Sequence, residues 1–177
     1  MRSKAFFING GAGRVITSIP AFEKYAETHD DFIIVCEGGM NFYKSHPVLH
    51  KYAYDNWHKG LFEDKIKDRD CVTPEPYRRW HYYNQKCSIA QAFDLEINGI
   101  DEPRDLPKPT IKLAKSEGIQ GLQLVDEAIK VTGKEKVIVV QPFGRAIQQI
   151  DGSFVDKTNR SIEFFNLKRL IKKLQEK

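Results

Sequence analysis

One stretch limits the fold of this chain more than any other. Ala5-Phe6-Phe7-Ile8 is a short apolar run that breaks into Asn9-Gly10-Gly11-Ala12-Gly13 and then into an amphipathic segment. Val15, Ile19, Phe22 and Ala26 recur at i, i+4, i+7 and i+11, which is one face of a helix. The chain therefore opens as strand, tight turn and helix. Glycines suit such a turn because they accept positive φ and let a backbone or a ligand come close. The helix start beyond them offers unpaired N–H groups and partial positive charge, a natural place for an anion. The same glycines serve equally as a tight turn with no ligand. The dinucleotide fingerprint G-x-G-x-x-G is not met, since counting from Gly11 puts Ile16 at its last glycine.

A second unit of the same kind follows. Phe32-Ile33-Ile34-Val35-Cys36 is continuously apolar, as in a parallel strand buried on both faces, and it ends in Glu37-Gly38-Gly39. Two such units predict an α/β fold with a mainly parallel, Rossmann-like sheet. Ligands in these sheets sit along the carboxyl edge, where both glycine turns fall. A short helical piece is expected at Asn41-Phe42-Tyr43, and a short strand over 61–66. The segment 68–76 reads as a loop or edge piece, because Pro74 and Pro76 bar a central strand. Tyr82, Tyr83, Ile89, Ala90, Phe93 and Ile97 predict one amphipathic helix stopped by Asn98-Gly99. Later expectations are a short strand over 110–113 and a helix with Leu122, Val125 and Ile129 inward. A strand over 137–140 should follow, then a last helix with Leu167, Leu170, Ile171 and Leu174 on one face.

Composition narrows the class of protein. At 177 residues, with 41% hydrophobic and 29% charged side chains, the chain has the makings of a proper core. A net charge of +4, with acids and bases interspersed, suits anionic ligands but gives no nucleic-acid signature. The three cysteines lack metal-ligand spacing and read as reduced thiols of a cytoplasmic protein. No apolar run approaches membrane-spanning length, and the N-terminus is too brief for a signal-peptide core.

Gly13-Arg14-Val15-Ile16-Thr17-Ser18-Ile19-Pro20-Ala21 resembles the amino-terminal signature of the heptosyltransferase-like glycosyltransferases, family 9, of bacterial or phage type. The resemblance implies a GT-B fold, with residues 1–133 as a Rossmann-like acceptor-side domain and 134–177 as the first, incomplete βα unit of a donor domain. It implies sugar transfer from a nucleotide-sugar donor to a hydroxyl of a small-molecule or glycan acceptor. It implies no metal and no further cofactor. Pro103, Pro107 and Pro109 supply the proline-containing link that the family has after a helix such as that ending at Gly99. The family's catalytic acid falls at Arg14, and an arginine cannot accept a proton at neutral pH.

Glu37 is the preferred replacement as base, since it follows the second strand and faces the same edge. His46, His50, Glu75 and His81 are further candidates. Arg14, at a helix start where a cation is locally unfavourable, is expected to hold a carboxylate or phosphate, or else to pair with a nearby acid such as Glu37. Gly11, Gly13, Arg14 and Gly38 are expected to line the substrate site, with Gly144 and Arg145 towards the donor phosphate and Asn159-Arg160 nearby. Trp57, Tyr77, Trp80, Tyr82 and Tyr83 form an aromatic band with Arg78, Arg79 and His81. It reads as a stacking surface or as packing between a helix and a loop. The alternative to an enzyme is a non-catalytic binding or structural module that keeps the fold without the family's acid and donor domain.

Overall fold

A computed structural model describes residues 3–142, 147–151, 153–156 and 161–176. The chain divides into two compact units, Met1–Ile119 and Gln120–Lys177.

The first unit is α/β and Rossmann-like. Strands β1 (Lys4–Ile8) and β2 (Phe32–Cys36) lie side by side, with β3 (Ala53–Asp55) beyond β2 and β4 (Asp70–Val72) beyond β1. The order is β3-β2-β1-β4 and every pairing is parallel; Lys4 stands opposite Phe32 on one side and Asp70 on the other. Side chains of a strand alternate between faces, and the core divides accordingly. Phe6, Ile8, Phe32, Ile34 and Cys36 pack with the helical layer of α1 (Ala12–Ala26), α2 (Asn41–Lys44) and, further along the chain, residues Phe93 and Ile97. Ala5, Ile33 and Val35 face the other way, against Ile66 and Leu61. That is why β2 has no polar residue: both its faces are buried.

Helix α1 buries Val15, Ile19 and Phe22 as its spacing predicts. The rings of Phe22 and Tyr25 meet Phe6 edge-on at 5.3 and 5.1 Å.

Several expectations are corrected. Residues 62–66 form one π-helical turn (Phe62–Ile66) in place of a strand, and Ile66 closes the second face of the sheet. The helix expected from Tyr82 to Ile97 is two: α3 (Trp80–Tyr83) and α4 (Ile89–Asn98). Ser88 divides them. Its hydroxyl accepts from the Gln91 N–H while the Gln91 side chain accepts from the Ser88 N–H, a reciprocal cap that starts a new helix. Gly99, at φ +63°, ends it. Residues 110–113 are irregular. The proline-containing link is fastened by an ion pair: Arg104 Nε and Nη2 donate to buried Asp94 at 2.6 and 2.9 Å. Asn98 bridges the same carboxylate to the Ala21 carbonyl, so link, α4 and α1 share one network.

Helix α5 (Lys115–Thr132) spans the division between the units and buries no residue; Leu122 is 67% exposed, not inward. In the second unit, residues 137–140 make no strand and Val139 is 89% exposed. Its strands are instead an antiparallel hairpin, β5 (Ile147–Ile150) and β6 (Ser153–Asp156), followed by α6 (Phe164–Gln175). On α6 only Leu167 of the expected apolar face is buried. Among the described residues, no helix is long and apolar enough to cross a membrane.

Candidate functional site

The carboxyl ends of β1 and β2 deliver two glycine turns to one place. Gly10, at φ +101°, donates its N–H to Glu37 Oε2 at 3.0 Å. Glu37 is itself exposed, so one carboxylate oxygen is anchored to backbone and the group faces solvent. The two turns press together. A Cβ on Gly38 would lie 3.2 Å from the Gly10 carbonyl oxygen, and one on Gly39 (φ +72°) would lie 3.0 Å from Ala12 Cα. Glycine is demanded at Gly39 by φ and by space, while at Gly38 a side chain would crowd the Gly10 carbonyl. Gly11 and Gly13 differ: neither has a positive φ, and a Cβ at either would meet nothing within 4 Å. They stand exposed at the start of α1, whose N-cap has no side-chain bond and whose first turn has no acid. Arg14 already donates its N–H to the Gly11 carbonyl at 3.0 Å, so in that first turn the N–H groups of Ala12 and Gly13 are the ones without an intrahelical partner.

Arg14 sits on the other side of β1. The strand order reverses direction there, between β1 and β4, and that crevice is the usual ligand position of an open α/β sheet. Arg14 fills it. Nη2 donates to the Pro74 carbonyl at 2.7 Å and pairs with Glu75 at 3.4 Å. The guanidinium lies 5.4 Å from the ring centre of Tyr77 and 5.6 Å from that of Phe93, within cation–π range. Its side chain is only 16% exposed. Its acid partner is Glu75, not Glu37, and the engaged Glu75 is not a free base.

The histidines serve other ends. His46 is buried, its Nδ1 accepting from the N–H groups of Val48 and Leu49. Nε2 therefore carries the proton and donates to Glu23 at 2.9 Å, pinning the α2–β3 connection to α1. His50 bonds the His46 carbonyl through Nδ1, ahead of β3 and so at the amino end of the strands. His81 pairs loosely with Glu102 at 3.7 Å. The aromatic band divides too. Trp57 follows β3 and the others follow β4, so they belong to opposite edges of the sheet. Tyr77 packs edge-on against Tyr82, while Trp57, Trp80 and Tyr83 lie in solvent.

Burial pushes the Cys36 thiol up to about 12, helped by the charge of Asp55, and Tyr43 well above its ordinary value. Cys36 is thus an inert core thiol, whereas Cys71 is exposed. Among the described residues no group of His, Cys, Asp and Glu is arranged to hold a metal ion. Gly144, Arg145, Asn159 and Arg160 lie outside the described residues.

The site is that of a Rossmann-like α/β unit: an anchored carboxylate beside an open, glycine-flanked helix start. Compared with known protein families, curated proteins and solved structures, the chain has no match.

Proposed function

We propose that this chain is the acceptor-side part of a glycosyltransferase, moving a sugar from a nucleotide-sugar donor to a hydroxyl of a small-molecule or glycan acceptor. Glu37 is the observation that carries the reading. Its carboxylate is oriented by the Gly10 N–H and open on its other side, as a base must be to take a hydroxyl proton. Gly11 and Gly13, which neither φ nor packing requires, leave room for a substrate to approach the backbone beside it. In this reading the family resemblance gives Arg145 the role of binding the donor phosphates, and the reducing cytoplasm suits the three free thiols.

One observation favours the second reading, a non-catalytic module. The residue in the family's acid position, Arg14, is bound into the fold and contributes a clamp rather than chemistry. A thermal-shift screen against UDP-, GDP-, ADP- and CMP-sugars, with phosphate and simple sugars as controls, separates the two. The enzyme reading expects a selective shift with one nucleotide sugar, lost in Arg145→Ala. It also expects transfer to fall by about 10²–10⁴-fold in Glu37→Gln with that shift retained. Absence of any shift, or transfer that survives Glu37→Gln, overturns it.

A further inference from the structure

A pocket of about 320 Å³ lies on the outer side of α1, between its Ile16–Pro20 stretch, the start of α4 and the proline-containing link. It shares no residue with the Glu37 edge, and what it binds does not depend on the sugar-transfer reading. The volume is within the roughly 300–1,000 Å³ typical of small-ligand sites.

Its walls are apolar: Ile16, Pro20, Ala90, Leu106 and two link prolines. Its polar groups are acceptors looking for donors. Pro20 stands inside the helix and has no N–H, so the Ile16 carbonyl lacks the donor that every helical carbonyl expects four residues on. The Thr17 hydroxyl gives its proton to the Gly13 carbonyl at 2.8 Å, which leaves its lone pairs for a ligand. Asp105 is exposed and has no hydrogen bond or ion pair among the described residues. Ser88 and Gln91 are spent on capping one another, with the Gln91 amide also held by the Arg104 carbonyl. The lining contains no lysine, arginine or histidine. A phosphate or carboxylate therefore finds no partner here, whereas an ammonium beside hydroxyls on an apolar ring finds one at each point.

We propose that this pocket is a binding site for an amino sugar, its ammonium on Asp105, its hydroxyls on the Ile16 carbonyl and Thr17, and its C–H face on the prolines. The interrupted helix ladder and the lone carboxylate are two independent features that converge on the same ligand chemistry.

The test is an NMR titration of the isotope-labelled full chain with glucosamine, glucose, glucuronate and a proline-rich peptide. Glucosamine should shift the amides of Thr17, Gln91 and Leu106, glucose should do so more weakly, and glucuronate should leave them in place. Asp105→Asn, on an exposed side chain, should weaken glucosamine about fivefold. Pro20→Ala should weaken it by at least a similar factor, because the restored N–H occupies the Ile16 carbonyl and part of the apolar wall is lost. The same change should raise the melting midpoint, so the loss cannot be ascribed to misfolding. Glucuronate binding as well as glucosamine, unchanged affinity in both variants, or movement of these amides by the peptide and not by glucosamine overturns the proposal.

Discussion

The two crevices that flank β1 at the carboxyl edge of the sheet are built from similar parts and end in opposite states. On the β4 side a guanidinium donates to the Pro74 carbonyl, pairs with Glu75 and lies against two aromatic rings, so the space is closed. On the β2 side a carboxylate takes one backbone N–H and stands exposed, as do Gly11 and Gly13. A side chain's place in a motif does not settle its role; the partners it meets in space do. The glycines repeat the lesson. Gly39 is held by φ and by Ala12, while Gly13 is held by neither.

Substitutions at the edge turn this contrast into numbers. Gly39→Ala forces a side chain into positive φ and onto the α1 backbone, and should cost about 2–4 kcal/mol in urea unfolding. A loss below about 0.5 kcal/mol would mean the turns are not pressed together. Arg14→Ala removes the donor from the Pro74 carbonyl and should cost about 1–3 kcal/mol. Arg14→Lys should recover only part, because a point charge cannot follow the planar contact with both rings. If Arg14→Ala is neutral, the β4 crevice is not closed by that side chain.

The β2 side rests on Cys36, which gives an alkaline signature. An unfolded thiol loses its proton near its ordinary 9.0, and the folded one holds it to about 12. Between those values the unfolded chain binds fewer protons than the native one, so stability is complete below 9 and falls as pH rises. From this residue alone the loss between pH 8 and 10.5 should be on the order of 2 kcal/mol, with Tyr43 adding in the same direction. Denaturation midpoints across that range check it, and Cys36→Ala should flatten the slope. Smallest is Gly13→Ala. It places a better helix former at an open exposed position and should stabilise by up to about 1 kcal/mol, measured by the same unfolding. Clear destabilisation would show that Gly13 is already crowded.

The opening of the chain was legible because its signals are local. Glycines end two apolar runs, and the spacing from Val15 to Ala26 has only one helical reading. The position of Glu37 followed from the same punctuation. The Arg14 clamp was not legible, since its partner lies 60 residues away and only the β1–β4 pairing brings it near. Two misses did have signals. Ser88-x-x-Gln91 announces a new helix start within the apolar spacing that suggested one long helix. Asp151-Gly152 between two short β-prone runs announces the hairpin. Val137 to Val140 carried strong strand propensity, but propensity needs a neighbouring ladder, and the described residues offer none.

The lengths of the strands have a consequence for how this sheet meets other chains. Its inner strands have five residues each, and its outer ones, β3 and β4, have three. A foreign strand laid along either border would find only a short row of free backbone groups, and past β4 the prolines at 74 and 76 withhold their N–H altogether. The sheet's width is therefore self-limiting: each border offers too few hydrogen bonds to template the next strand.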